Sequence, residues 1–270
     1  MYLDYWHLTD QPFPYRLPVS ESIGTVSQQA ALLRLQYCVD NGAGCAVILG
    51  ESGLGKTTLL KQLEADGPGP EPFIYLAFPG LQATEQLRLL SSQISDTPVA
   101  VTDRPDELLQ NIATGFRRSN AAEQHPIICF DDAQLLHPTV MTDVLLPLLN
   151  LQDIDDEINL TVVLAGQPIL ASQLSRQPQL RERIAVTARL TGMSEKEIRN
   201  YVQGRMKTCG AAETIFTENA LKQLHQVSQG NPRRLNRLCH MALLVGRVDE
   251  LSGIDAEQID AVGTELMIAA

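Results

Sequence analysis

No C-x-x-C spacing occurs among the five cysteines, Cys38, Cys45, Cys129, Cys209 and Cys239. An odd number without paired spacing excludes a disulfide framework. It predicts reduced thiols, with Cys45 and Cys129 inside buried strands. Basic residues are short too: 21 Lys and Arg stand against 32 Asp and Glu, a formal net charge of −11. That field repels nucleic acid and anionic membrane, so either contact needs a local basic patch. Long apolar runs are missing. Residues 241–245 (Met-Ala-Leu-Leu-Val) fall far short of the roughly 20 that a membrane-spanning helix needs. No signal peptide is read at the start, so the chain is expected in the cytoplasm without a transmembrane segment of its own. The five histidines lack metal spacing. What is present is 44% hydrophobic residues over a length of 270, enough to bury one large core and a smaller domain.

One stretch organises the rest. Gly50-Glu51-Ser52-Gly53-Leu54-Gly55-Lys56-Thr57 fits the phosphate-loop pattern G-x-x-x-x-G-K-[ST] and follows the apolar run Cys45-Ala46-Val47-Ile48-Leu49. Chance places such a pattern in roughly one chain of this length in a hundred, and a strand before and a helix after lower that further. In this setting, backbone N–H groups curl around phosphate oxygens at the positive end of a helix dipole. Lys56 is expected to reach the β- and γ-phosphates, with Thr58 beside it, and Thr57 to offer its hydroxyl to Mg2+. The bland alternative is a glycine-rich turn. A nucleophile elbow is excluded because Leu54 stands where G-x-S-x-G needs glycine. The ligand is expected to be a nucleoside triphosphate; the absence of a guanine-reading N-K-x-D speaks against a GTPase, and that of an L-S-G-G-Q signature against an ABC transporter subunit.

The chain reads as three parts. Residues 1–28 hold the single Trp, three of the six Tyr and three prolines, an aromatic leader that either packs as an arm or walls an adenine. Residues 29–191 alternate apolar strands (about 45–49, 73–78, 126–130, 160–165 and 185–190) with helices (28–39, 58–63, 83–94 and 105–118). The glycine-proline run at 67–70 breaks the chain after the loop's helix. Continuous apolar strands with helical crossovers predict a parallel sheet covered on both faces, with ligands at the strands' carboxyl ends. Residues 192–270 read as helices only, about 194–208, 217–228, 232–245 and 255–267. Ser194 and Glu197 are spaced as a capping box.

Two carboxylates, Asp131 and Asp132, close the strand at 126–130. The sheet logic sets Asp131 beside Thr57 and Lys56, where it would hold Mg2+ through its water shell, and makes Asp132 the base for an attacking water. A solvated turn is the alternative. Gln167, just past the strand at 160–165, is expected to turn its amide to the same site. Arg181 and Arg183 offer guanidinium groups for a neighbouring subunit's γ-phosphate, or else a surface ion-pair set with Glu182.

These residues carry a resemblance over nearly the whole chain: it resembles the AAA+ ATPases, and within them the general secretion pathway protein A group. The leader (Met1-Tyr2, Leu8-Thr9, Pro12-Phe13), Leu164-Ala165-Gly166-Gln167-Pro168, the run from Leu190 to Gly210, and Gly230-Asn231-Pro232-Arg233-Arg234-Leu235-Asn236-Arg237-Leu238 are the similar blocks. The resemblance implies a P-loop αβα core followed by a small helical lid. It assigns Gln167 to sensor 1, Arg233 to sensor 2, and Arg183 or Arg181 to an arginine finger acting in a nucleotide-dependent homo-oligomer. Three departures stand out. Asp132 replaces the group's usual glutamate and is shorter by one methylene. The chain stops at Ala270, without the transmembrane and periplasmic parts many of the group carry. The stretch at 16–19 lacks the group's proline-rich continuation.

The function expected is therefore a cytoplasmic, Mg2+-dependent ATPase that drives or gates a secretion- or pilus-type envelope machine, recruited to the membrane's inner face by a partner there. One alternative is a DNA-associated regulator of the transposition-target or loader type. The acidic charge opposes it, and a patch of Arg233, Arg234 and Arg237 would favour it. The other is a nucleotide switch with negligible turnover, suggested by Asp132.

Overall fold

The computed structural model describes residues 2–15, 24–66, 72–96 and 98–268. The breaker at 67–70 and the leader's 16–19 lie outside these. The chain divides into two compact units, one of Val26–Ser52 and Lys56–Leu190, the other of Met1–Thr25, Gly53–Gly55 and Thr191–Ala270.

In chain order, a single turn α1 (Tyr2–Tyr5) precedes α2 (Val26–Asp40), β1 (Gly44–Leu49), α3 (Lys56–Ala65) and β2 (Phe73–Leu76). Next come α4 (Ala83–Ile94), α5 (Pro105–Ala121) and β3 (Ile127–Phe130). A 3-10 turn, Ala133–Leu135, leads to α6 (Pro138–Val140), a π-helical segment (Met141–Leu145) and α7 (Leu146–Ile154). The π segment has a local cause. Pro147 lacks the N–H that an uninterrupted α-helix would donate to the residue four back, and the helix widens over the turn before it. After it follow β4 (Thr161–Gly166), α8 (Ile169–Ser175), α9 (Pro178–Glu182) and β5 (Ile184–Arg189).

Among the described residues the strands form one sheet in the order β2-β3-β4-β1-β5, and every pairing is parallel. Both β3 and β4 are buried along their whole length, so both faces are covered, as parallel strands require. On one face Val47, Ile128, Phe130, Val162 and Leu164 pack with Leu90 of α4, Phe116 of α5 and Leu148 of α7. The intervening Ala46, Ile48, Cys129 and Val163 are equally buried and point to the opposite face, where α2 packs on β1 and β5 and α3 on β4. All five cysteines are free and buried, as their spacing predicts.

The second unit is built on α10 (Glu195–Thr208), α11 (Glu218–Ser228), α12 (Pro232–Val248) and α13 (Ala256–Ile268). The capping box forms: the Ser194 backbone N–H donates to Glu197 Oε2 at 2.9 Å, and the Glu197 N–H to Ser194 Oγ at 3.3 Å. The leader's rings are consumed in this unit's core. Tyr2, Trp6 and Phe13 are buried there with Tyr201, Phe216 and Leu243, and Trp6 Nε1 donates to the Leu243 carbonyl at 2.9 Å. Arg205, buried in α10, ties the leader down through the Pro12 carbonyl at 2.8 Å. Those three rings therefore present no open face for an adenine.

Candidate functional site

The phosphate loop leaves β1 at Gly50, whose N–H donates to the Gly166 carbonyl at the end of β4 (3.0 Å). Gly53 and Gly55 sit at φ 87° and 88°, a region that residues with a Cβ rarely adopt, so these two glycines, the second of them fixed by the pattern, are needed for the loop's path. Lys56, only 7% exposed, donates from Nζ to the carbonyls of Gly50 (2.8 Å) and Glu51 (3.2 Å). Its ammonium thus sits within the loop it is expected to serve.

Asp131, at the carboxyl end of β3 and 6% exposed, is the centre of the polar cluster. Its Oδ2 accepts from Thr57 Oγ1 and from Tyr75 Oη, each at 2.6 Å, and its Oδ1 accepts from the Asp132 N–H at 2.9 Å. The parallel register, with β3 paired to β2 on one side and β4 on the other, is what brings these strand ends together. Burial, and then the bond to Asp131, raise the Tyr75 pKa far above that of an ordinary phenol, so Tyr75 stays a donor.

Asp132 is exposed and has a left-handed backbone, φ 48° and ψ 40°. Its Oδ1 accepts from Gln134 Nε2 at 3.2 Å. Gln134 Oε1 in turn accepts the backbone N–H of Gln167 at 2.9 Å. Gln167 therefore joins the cluster through its main chain. Two members of this site escaped sequence reading. Tyr75 was the one polar-headed side chain in an apolar strand, and Gln134 lay two residues beyond the paired carboxylates.

The arginines lie elsewhere. Arg183 immediately precedes β5 and so sits at the amino end of a parallel strand, while the phosphate loop and Asp131 follow carboxyl ends. Six residues of strand put about 20 Å between those two ends of the sheet. Arg183 is held by hydrogen bonds to the Asp153 carboxylate and to the Leu149 carbonyl (3.3 Å). The bond from Arg183 also pulls the Asp153 pKa below the usual carboxylate value. Its ion-pair partner is thus Asp153, where the sequence had suggested Glu182. Arg181, at the end of α9, is exposed. In the helical unit, Arg233 occupies the first turn of α12, where its N–H and that of Arg234 cap onto Asn231 Oδ1 at 3.1 and 3.2 Å.

Among known proteins, residues 39–174 match the family described as AAA domain. Over 259 residues the chain is 32% identical to General secretion pathway protein A of Aeromonas hydrophila, covering 90% of this chain and 44% of that protein. It thus spans less than half of that relative's length. Of solved structures, Cdc6p from Pyrobaculum aerophilum superposes with a TM-score of 0.70 at 19% identity, covering 94% of this chain and 68% of that one. The Thermotoga maritima RuvB Holliday junction branch migration motor gives 0.59 at 17% identity, covering 94% and 72%. At such identities the likeness speaks for the fold alone, an αβα core on a parallel sheet followed by helices.

Proposed function

The chain belongs to the AAA domain family, and from that premise we propose that it binds ATP with Mg2+, hydrolyses it slowly, assembles with nucleotide, and drives or gates a secretion- or pilus-type envelope machine. The nucleotide half of this reading rests on the 2.6 Å bond between the Thr57 hydroxyl and the buried Asp131 carboxylate beside the phosphate loop. Both are hard oxygen donors, and Mg2+ is commonly held by one or two such ligands together with substrate phosphates. Among the described residues no group of three or more His, Cys, Asp or Glu is suited to a metal, which fits an ion that arrives with the phosphates. Thr57 and Asp131 would hold it, and bound there it would neutralise charge on the β- and γ-phosphates.

The remaining work falls to the chain's own groups. The loop's N–H groups from Gly50 to Thr58 and the Lys56 ammonium grip phosphate oxygens. Asp132 takes a proton from water as the water oxygen bonds to the γ-phosphorus and the bridging P–O bond breaks to release ADP. Its carboxylate reaches about one methylene less than a glutamate's, and misplacement near 1 Å costs roughly a hundredfold in rate, so turnover is slow. Gln167 and Arg233 serve as sensors. Arg183, with Arg181 as the alternative, acts on a neighbour's nucleotide, because its own site is at the other end of the sheet.

The secretion half rests on the likeness to General secretion pathway protein A. Among the described residues no helix is long and apolar enough to cross a membrane, so a membrane-associated partner would make the link. The test is phosphate release with Mg-ATP alongside calorimetry. Asp132→Asn should abolish turnover and leave ATP affinity intact, and a variant with wild-type turnover removes Asp132 from the mechanism. Cells carrying Lys56→Ala should lose export through the machine; unchanged export moves the assignment to another process.

A further inference from the structure

We propose that Gln134 is the positioning residue of the hydrolytic site, holding Asp132 in its working orientation by a carboxamide clamped between the ends of β3 and β4. The inference rests on the reading of Asp132 as the base. Gln134 is buried, 9% exposed, and both ends of its amide are engaged. A backbone N–H can only donate, so the end facing the Gln167 N–H at 2.9 Å must be oxygen. That turns the nitrogen towards Asp132 Oδ1, which it meets at 3.2 Å. The Gln134 main chain is fixed as well, its carbonyl accepting from Gln173 Nε2 at 3.0 Å.

The clamp answers a geometric need. Asp132 is exposed on a left-handed backbone, and among the described residues Gln134 is the one side chain that bonds its carboxylate. An amide donor on Oδ1 stops rotation of the carboxylate and leaves Oδ2 to accept the proton from water. The fold also makes room for this amide. A Cβ added to Gly166 would meet Gln134 Oε1 at 2.9 Å and Leu170 Cδ2 at 2.8 Å. Both are ends of flexible side chains, and the Gln134 backbone N lies next at 3.3 Å, so an alanine there presses on Gln134 and displaces its carboxamide first.

Gln134→Glu separates the two bonds. A carboxylate of the same shape still accepts from the Gln167 N–H but cannot donate to Asp132. The expected result is a fall in kcat of about 10- to 100-fold, the cost of misplacing a reacting group near 1 Å, with ATP affinity by calorimetry within about twofold. Gly166→Ala should act in the same direction. Single-turnover measurement at high enzyme concentration reads the residual hydrolysis left when Asp132→Asn abolishes steady-state turnover, and in that background Gln134→Glu should cost nothing further, because residues acting through one another are not additive. If Asp132→Asn abolishes turnover and Gln134→Glu leaves kcat unchanged, the positioning role is wrong. An equal loss in both backgrounds likewise overturns it, since Gln134 would then be purely structural. If Asp132→Asn itself keeps wild-type turnover, the base assignment falls, and this inference with it.

Discussion

Tyr75→Phe deletes one oxygen from the site and should be felt as stability before any nucleotide is added. The phenol donates to Asp131 Oδ2 at 2.6 Å, and Asp131 is 6% exposed, so water cannot readily replace the lost donor. A hydrogen bond to a charged group is worth about 1.5–3 kcal/mol. The Thr57 hydroxyl and the Asp132 N–H still serve the carboxylate, which sets the expected loss near the lower end, about 2 kcal/mol. For a unit of this size, that corresponds to a fall in Tm of roughly 4–8 °C. Far-UV circular dichroism is the appropriate signal, because the chain's single Trp, Trp6, is buried in the helical unit and reports on the other core. Thr57→Val removes the second donor to the same oxygen, so the double variant should depart from additivity by at least about 0.5 kcal/mol. A Tyr75→Phe protein within about 0.5 kcal/mol of wild type, additive with Thr57→Val, would mean that Asp131 does not depend on these hydroxyls.

Lys56→Ala should weaken ATP binding by about 10- to 100-fold, the value of one charged hydrogen-bonding contact; unchanged affinity in calorimetry would sink the phosphate-loop reading. If Arg183 acts in trans, activity per subunit should rise with protein concentration, ATP should favour larger assemblies, and Arg183→Ala should remove the concentration dependence. A strictly monomeric protein with constant specific activity returns Arg183 to its pair with Asp153. Duplex DNA should be bound no better than about 10⁻⁴ M at 150 mM salt, the weak end of non-specific binding, with or without ATP. Micromolar, steeply salt-sensitive binding would transfer the protein to the DNA-associated class. His125, bonded to Thr161 Oγ1 at 2.9 Å, has its pKa lowered by burial, with Asp40 opposing. The folded state therefore binds fewer protons than the unfolded one. Stability from this group is complete above about pH 6.5 and declines as pH falls through that value. His125→Gln should flatten this part of the urea-midpoint profile, and an unchanged slope would assign it to other groups.

Sequence alone went furthest where chemistry is local. The phosphate loop, the two carboxylates after β3 and the capping box at Ser194 each lie within a few residues, and their covalent spacing fixes what they can do. The apolar runs of β1, β3 and β4 were legible because parallel strands buried on both faces carry no alternation to misread. The segment from Pro138 to Ile154 was not assigned: its apolar residues do recur at helical spacing, as at Val140, Val144 and Leu148, but Pro138 and Pro147 read as breaks. Only the tertiary structure decided which side chains converge across strands. Tyr75 meets Asp131, 56 residues away, and Gln134 meets Gln167, 33 residues away, because the register aligns the ends of β2, β3 and β4. The same holds for the leader, whose aromatic composition allowed either a base-stacking wall or a packed arm. Composition cannot choose between two apolar destinations, and the helical unit's core took Tyr2, Trp6 and Phe13 because there they are shielded from water and the indole N–H finds a carbonyl.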